Sequence, residues 1–285
     1  MNIIELLRYI VYGLVQGIFE VFPISSSGQV AFIQYVIDDG FQYSQFFLII
    51  VNLGSLVAII VFFRKMLKEL LCQSYRDVIK KDHSPENLKA TSYIKNIIVA
   101  IIPIGIIGSL ITLSDFQLES FSLIIIGVGS LLTATIMFLS RNRTNQYTST
   151  KLTRPKAWYI GLFQLFALIP GVSRLGVTAV AGTHQELSYN TALNFSIIMS
   201  IPISIGAVLI SLLKGLTDVK TFIDFDITNF YMYIYYFISV AVSFLGTFYA
   251  LKFIFVITQK GNFRMFYIYN LAFGLVALII GLANY

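Results

Sequence analysis

Six long apolar segments dominate this sequence and restrict what it can fold into. Each is close to the roughly 20 residues that a helix needs to cross the hydrocarbon core of a bilayer. The chain of 285 residues is 57% hydrophobic and only 12% charged, whereas soluble domains average about 25% charged residues. We therefore predict an all-α polytopic membrane protein. The predicted spans are Phe46–Phe63, Ile94–Leu113, Leu118–Leu139, Ala192–Leu213, Tyr231–Ile257 and Phe266–Ala283.

Two further apolar stretches, at about 1–40 and 157–187, are interrupted by Pro, Gly and Ser clusters. Lys and Arg concentrate at 64–89 and 141–156, which predicts that both of these loops are cytoplasmic. The loop at 214–230 is richer in Asp, as expected on the outside. With these sides assigned, each interrupted stretch has to enter and leave the membrane on one side, as a re-entrant hairpin.

The two halves then show the same order of elements in opposite orientations. Gly13-Leu-Val-Gln16 opens the first hairpin and Gly161-Leu-Phe-Gln164 opens the second, and each is followed at identical offsets by a Ser and a Gly. Inverted repeats whose broken helices meet near mid-depth are typical of many transporters. The predicted units are a first repeat at 1–140, a basic cytoplasmic linker at 141–156 and a second, inverted repeat at 157–285.

The net charge of +6 does not indicate nucleic-acid binding. The basic residues form no contiguous soluble patch and instead follow the positive-inside pattern, so anionic lipid headgroups are the expected partners. The single cysteine, Cys72, excludes an internal disulfide.

The first hairpin carries a polar cluster that is unusual in so apolar a chain. Gln16 and Glu20 are four residues apart, so they share a face of a helix that Pro23 then breaks. Ser and Gly residues at such a break can simply allow close helix packing. A carboxylate at membrane depth is costly unless it is paired or used. The residues that follow the break are Ser25, Ser26, Ser27, Gly28 and Gln29.

The second hairpin offers a cation at its own break. Arg174 follows Pro170-Gly-Val-Ser173 and has apolar neighbours, with Thr178 one turn further on. If the two hairpin tips meet, Arg174 can pair with Glu20 as a structural ion pair. Alternatively, the guanidinium can bind a ligand phosphate, which its planar fork matches, with help from helix-terminal N–H groups.

These two segments resemble the signatures of a known family, the bacitracin-resistance undecaprenyl-diphosphate phosphatases. The resemblance runs in order through nearly the whole chain. Its motifs are Gln16-x-x-x-Glu20 with Pro-Ile-Ser-Ser-Ser-Gly28, Asn52-Leu-Gly-Ser, Pro170-Gly-Val-Ser-Arg-Leu-Gly-Val-Thr178, and Asn194-Phe-Ser-Ile-Ile-Met-Ser-Ile-Pro202 with Gly206-Ala207.

The resemblance implies a plasma-membrane hydrolase that removes the terminal phosphate of undecaprenyl diphosphate, to recycle the lipid carrier for cell-wall synthesis. It implies a site open to the outer face and a divalent cation, Mg²⁺ or Ca²⁺, with Glu20 as its ligand. It makes Glu20 the essential acid, Ser26 the nucleophile and Arg174 the phosphate clamp. The implied substrate-binding residues are Gln16, Ser25, Ser27, Gln29, Ser173 and Thr178.

Four positions depart from the family pattern, and they leave other functions open. Gln29 stands where the family usually has His, Leu175 where it has Ser, Asn194 where it has an acid, and Asn270 where it has Arg. Because Gln29 cannot titrate, a non-hydrolytic polyprenyl-phosphate transporter or flippase is the alternative, and a structural protein with a vestigial site is a third. The sequence also allows a homodimer.

Overall fold

The computed structural model describes residues 2–37, 45–113, 122–141, 149–217, 230–259 and 264–283. These residues form eleven α-helices, one short 3₁₀ helix at Leu165–Leu168 and no β-strand. The helices are α1 (Ile3–Glu20), α2 (Ser26–Ile37), α3 (Gln45–Phe62), α4 (Arg64–Val78), α5 (Pro85–Leu113), α6 (Leu123–Leu139), α7 (Arg154–Gln164), α8 (Arg174–His184), α9 (Tyr189–Thr217), α10 (Phe230–Gln259) and α11 (Arg264–Ala283).

The predicted spans fall on helices, and the all-helical membrane architecture is confirmed. Four helices, α5, α9, α10 and α11, are individually long and apolar enough to cross a membrane. Helix α3 passes the same test together with α4, from which it is bent by 71°. Helix α6 is a shorter apolar helix, and the start of its predicted span at 118–121 lies outside the described residues. The described chain therefore holds four to five candidate spans.

The basic segment at 64–89, predicted as a loop, instead contains α4 and the start of α5. Helix α4 is amphipathic: Met66 and Leu67 pack against the hydrophobic core, whereas Lys65 and Lys68 are exposed. An apolar stripe at helical spacing lets a charged segment fold on the surface of a bundle. The loop prediction missed this stripe because it considered only the charges.

The first hairpin is broken where α1 gives way to α2. Val21 caps the end of α1, and Pro23 follows at a distance typical of a helix stop. Ser25 then accepts a hydrogen bond from the backbone N–H of Gly28 through its Oγ, over 3.2 Å, at the start of α2. The side chain of Asn270 on α11 donates to the carbonyl of Pro23 over 2.8 Å and so fixes the break in place.

The second hairpin is broken between α7 and α8, where the 3₁₀ helix leads into Pro170 and Gly171. Gly171 has φ +88°, a conformation that L side chains rarely adopt. Its backbone also lies directly against that of Ile126 on α6, which leaves no room for a Cβ atom. Ser173 begins α8 by accepting a hydrogen bond from the N–H of Gly176 over 3.1 Å.

Each hairpin packs on a helix from the other half of the chain. Helix α1 lies against α10, and α7 lies against α5. Gly13 of α1 meets the backbone of Ser239, and Gly161 of α7 meets the backbone of Ala100, so closely that a Cβ atom would clash in both places. Small residues allow this close approach between helices in lipid. The two glycines that open the repeated sequence motif therefore make equivalent contacts.

A buried apolar cluster joins the two breaks to the bundle. It contains Val21 and Ile24 from the first hairpin together with Leu175, Ala179 and Val180 from α8. Because both hairpins contribute to one cluster, packing holds their tips next to each other. The polar residues at the two breaks are thereby brought to a single place.

Candidate active site

A cavity of about 930 Å³ lies between the two hairpins, and its lining also includes residues of α3, α5 and α9. Polar groups from the hairpins gather in its lining, whereas α5 and α9 contribute mainly apolar residues. Sites for small molecules are typically clefts of 300–1,000 Å³ with a few convergent polar groups. The hairpin residues with polar side chains in the lining include Gln16, Glu20, Ser26, Gln164, Ser173 and Arg174.

Glu20 and Arg174, which are 154 residues apart, form an ion pair in this cavity. The Nη2 of Arg174 lies 2.6 Å from the Oε1 of Glu20. The carboxylate side chain is 8% exposed and the guanidinium side chain is 25% exposed. Opposite charges with this little access to water compensate part of the cost of removing each from water. The juxtaposition expected from the sequence is therefore present.

Ser26 and Gln16 both hydrogen-bond to the other oxygen of the same carboxylate. The hydroxyl of Ser26 donates to Glu20 Oε2 over 2.9 Å, and Gln16 Nε2 donates to it over 2.8 Å. Gln16 Nε2 also lies 3.4 Å from the Ser26 hydroxyl. A hydroxyl that donates to a carboxylate is arranged for proton removal by that carboxylate. The structure thus places Glu20 where it can act as a base on Ser26.

Two helix N-termini face this cluster. Helix α2 begins at Ser26 and α8 begins at Arg174, so both functional residues occupy a first turn. The caps, Ser25 and Ser173, each satisfy one backbone N–H and leave other first-turn N–H groups without an intrahelical acceptor. Such N–H groups and the positive end of the helix dipole favour an anion. Both serine hydroxyls, predicted to bind substrate, act here as caps.

The remaining predicted substrate-binding residues are placed differently. Ser27 is exposed and lines the cavity, where its hydroxyl lies 3.3 Å from that of Ser25. Gln29 is buried away from the described cavity lining, and its Oε1 accepts a hydrogen bond from the Tyr269 hydroxyl over 2.8 Å. Thr178 is also outside that lining and donates to the backbone carbonyl of Arg174 over 2.8 Å. Helix α8 contributes only its first turn to the lining, through Arg174 and Leu175, whereas α2 also contributes Val30 and Ala31 from its second turn.

The structure also places the other three positions at which we expect a departure from the family pattern. Leu175 belongs to the buried cluster next to the site. Asn270 accepts a hydrogen bond from Ser130 over 3.3 Å, besides holding the carbonyl of Pro23. Asn194 lies on α9, outside the described cavity lining.

Several cavity features were missed by the sequence analysis. Gln164 lines the cavity and is fully buried. In the sequence, its motif, Gly161-Leu-Phe-Gln164, serves only as a sign of the internal repeat and predicts no functional role for Gln164. Gly105 and Gly206 line the apolar part, and a Cβ atom at either position would meet open space. The repeated Gly-Leu-x-Gln motif was a signal for Gln164. An open space beside a glycine depends on neighbouring helices and leaves no trace in the local sequence.

The donor set around the cavity limits how a metal ion could bind. Across the described ranges, no three His, Cys, Asp or Glu side chains are grouped as metal ligands. Glu20 is the one carboxylate among the described lining residues, and its oxygens already accept hydrogen bonds. Mg²⁺ is commonly held by one or two carboxylates together with substrate phosphates and water. Glu20 is therefore the described lining residue that could offer a carboxylate oxygen to such a cation.

Comparisons with known proteins cover almost the whole chain. The family model described as bacitracin resistance protein BacA matches residues 9–276. The undecaprenyl-diphosphatase of Acholeplasma laidlawii is 31% identical over an alignment of 287 positions, which covers 98% of this chain and 98% of the relative. Undecaprenyl-diphosphatase 2 of Bacillus thuringiensis is 33% identical over 279 residues, 96% of this chain and 97% of the relative. The matched residues include both hairpins and the cavity between them, and this chain therefore belongs to the bacitracin resistance protein BacA family.

Proposed function

We propose that this protein is an integral membrane phosphatase that hydrolyses the terminal phosphate of undecaprenyl diphosphate. The observation that carries the proposal is the contact of Glu20 with both Ser26 and Arg174 in one cavity. A base, a hydroxyl and a phosphate-binding cation are the groups that phosphoryl transfer requires. The relatives from Acholeplasma laidlawii and Bacillus thuringiensis, both named undecaprenyl-diphosphatases, support the same reaction.

The contact between Ser26 and Glu20 supports the following first step. The oxygen of Ser26 attacks the terminal phosphorus while its proton passes to Glu20 Oε2, 2.9 Å away. The bond between that phosphorus and the bridging oxygen breaks, and the lipid monophosphate leaves with the electron pair. The proton on Glu20 passes to the departing lipid monophosphate, which restores the carboxylate. A water molecule then attacks the phosphoserine and gives a proton to Glu20 while the bond to the Ser26 oxygen breaks. That proton returns to Ser26, and inorganic phosphate is released. The same carboxylate could instead activate water for direct attack, so the role of Ser26 as nucleophile is part of the proposal.

Arg174 has one role in the resting protein and another with substrate bound. The structure shows one hydrogen bond from its guanidinium to a described residue, Glu20, which leaves further donors for an anion. A bound phosphate competes with Glu20 for the guanidinium. The guanidinium then stabilises the charge that develops on the phosphoryl oxygens.

A divalent cation, Mg²⁺ or Ca²⁺, is proposed to assist. Glu20 would hold the ion, which would supply positive charge to offset that of the phosphate oxygens. The first-turn N–H groups of α2 and α8 contribute positive potential from the protein itself.

The apolar part of the cavity suits a polyprenyl tail. Its lining on α5 runs from Ile98 to Ile111, which is about 20 Å along a helix at 1.5 Å per residue. Gly105 of α5 and Gly206 of α9 leave open space in this lining. An apolar chain can lie there while its headgroup reaches Arg174. We expect leucine at either glycine to reduce turnover of the long lipid more than that of a short-chain prenyl diphosphate.

The membrane arrangement is proposed in the form that the sequence indicates. Six helices, α3, α5, α6, α9, α10 and α11, cross the bilayer, and the α1–α2 and α7–α8 pairs are re-entrant hairpins of an inverted repeat. The equivalent positions of Gly13 and Gly161 support this arrangement. We propose a location in the bacterial-type plasma membrane with the site open to the outer face.

Phosphate release from undecaprenyl diphosphate by purified protein in nanodiscs tests the function. Wild-type protein should release phosphate, more slowly after chelation, whereas Glu20→Ala and Arg174→Ala should release it at least about 100-fold more slowly. Glu69→Ala and Arg76→Ala are charge-matched controls, because both side chains are exposed on α4. Equal release by all variants would overturn the proposal. Movement of a labelled headgroup across the bilayer without phosphate release would favour a flippase instead.

A further inference from the structure

Gln164 is a buried amide that the reaction described above does not use. Its side chain is 0% exposed, and neither Oε1 nor Nε2 has a hydrogen-bond partner among the described residues. The residue nevertheless lines the cavity that contains Glu20 and Arg174. A buried polar side chain that has no partner and borders a cavity indicates a ligand that supplies the missing hydrogen bonds.

The energetic cost of burying this amide without hydrogen bonds argues against a purely structural role for it. Burying an amide that makes no hydrogen bond destabilises a protein, because the amide gives up its hydrogen bonds to water and gains none in return. Ser196 provides a contrast, since its buried hydroxyl also lacks a partner among the described residues but does not line the cavity. The amide of Gln164 differs in having the cavity beside it.

The first hairpin shows what the missing partner is. Counted from Gly13 and Gly161, Gln164 occupies the position of Gln16. The Nε2 of Gln16 donates to the carboxylate of Glu20 over 2.8 Å. In the second hairpin the position corresponding to Glu20 is Leu168, so an anionic oxygen is absent there. The position corresponding to Ser26 is Arg174, which adds a positive charge.

We propose that the amide of Gln164 binds a phosphate oxygen of the lipid headgroup, in the place that a carboxylate oxygen takes beside Gln16. The inference rests on the proposed function and adds a substrate-binding residue to it. Nε2 donates to the phosphate oxygen, and Oε1 accepts from a protonated or water-bearing group of the bound ligand. Gln164 and Arg174 then hold the headgroup from the same hairpin, opposite the base and hydroxyl of the other.

Binding by purified Gln164→Leu protein tests this without relying on turnover. Leucine removes the unsatisfied amide at similar volume, so the Tm of the ligand-free protein should stay equal or rise. The affinity for undecaprenyl phosphate, read from ligand-induced thermal stabilisation, should fall roughly 10- to 100-fold, the range for a hydrogen bond to a charged group. Gln164→Glu, which places a carboxylate beside the phosphate, should weaken binding further.

Inorganic phosphate serves as a second probe and separates the headgroup from the tail. A proportional loss of inorganic phosphate binding in Gln164→Leu is expected, because the contact is to a phosphate oxygen. If only the lipid loses affinity, the residue contacts the tail and the inference is overturned. Unchanged affinity for both probes would also overturn it, as would a fall in the Tm of the ligand-free protein by several degrees, which indicates a structural role.

Ser196→Ala is the matched control. It also removes a buried unpartnered group, but away from the cavity, so ligand affinity should not change. The two proposals can fail separately. If wild-type protein releases no phosphate but Gln164→Leu still loses phosphate binding, only the proposed function fails. If release is normal and binding does not depend on Gln164, only this inference fails.

Discussion

The first hairpin presents a carboxylate and a hydroxyl to the cavity, whereas the second presents a leucine and a guanidinium at the corresponding positions. Their backbones use the same devices: Ser25 and Ser173 cap helices of equivalent position. What differs is the chemistry of the side chains that face the cavity. The two hairpins therefore share their helix caps and differ in the side chains that line the cavity.

This divergence has an electrostatic reason. Two identical hairpins meeting at one place would bring two carboxylates, or two guanidinium groups, close together, and like charges with little access to water repel strongly. The pair formed by Glu20 and Arg174 avoids that repulsion. The same asymmetry separates the roles, because one hairpin can accept a proton while the other binds an anion.

The largest expected difference between the hairpins is in catalysis. Glu20→Ala should lower kcat by about 10²- to 10⁴-fold, the usual contribution of a general base. Leu168→Ala at the matched position removes no titrating group and should change kcat by less than about threefold. Phosphate release under saturating substrate measures both. Comparable losses would mean that the hairpins are functionally equivalent, which contradicts the division of roles.

The next largest difference concerns the contribution to stability of the second residue of α2 and of α8. Leu175 is buried in the shared apolar cluster, so Leu175→Ala should lower the free energy of unfolding by about 2–5 kcal/mol. Ser27, its counterpart, is exposed, and Ser27→Ala should change it by less than about 0.5 kcal/mol. Unfolding in detergent by denaturant provides the measurement. A large loss at Ser27 would show that the cavity is not open there.

The two hairpins should respond alike where their backbones approach the neighbouring half. A Cβ atom at Gly13 or Gly161 would clash with the backbone of α10 or α5, respectively. Gly13→Ala and Gly161→Ala should each lower the free energy of unfolding by about 1–3 kcal/mol, as overpacking does. Gly105→Ala, at an open position, is the control and should be tolerated. Strong sensitivity at only one hairpin would argue against equivalent packing.

The smallest effects are expected at the caps. Ser25→Ala and Ser173→Ala should each reduce stability by about 1 kcal/mol, the usual value of an N-cap hydroxyl. Thermal unfolding of the two variants side by side measures this. Asp or Asn at either position also caps a helix, so such a variant should regain the stability that Ala loses. This result would distinguish capping from a direct role of the hydroxyl in binding phosphate.

The sequence predicted the helical membrane fold and the meeting of Glu20 with Arg174, because apolar length and the distribution of basic residues constrain topology strongly. It could not predict that Gln29 turns towards Tyr269 and away from the cavity, since that depends on which helix packs beside α2. The apolar stripe of helix α4 is visible in the sequence, but the prediction of a loop considered only the charged residues. The sequence could not predict that the amide of Gln164 lacks a hydrogen-bond partner among the described residues, because this depends on which groups surround the amide in space.

The exchange of packing partners between the halves has a consequence for biosynthesis. Helix α1 is synthesised well before its close-fitting neighbour α10, because Tyr9 and its hydrogen-bond partner Ser239 are 230 residues apart. Until α10 has been made, the glycine surface of α1 has no helix to pack against. A half-length product would have neither a complete helix bundle nor a complete site. A premature stop anywhere before α10 should therefore yield a chain that quality-control proteases remove.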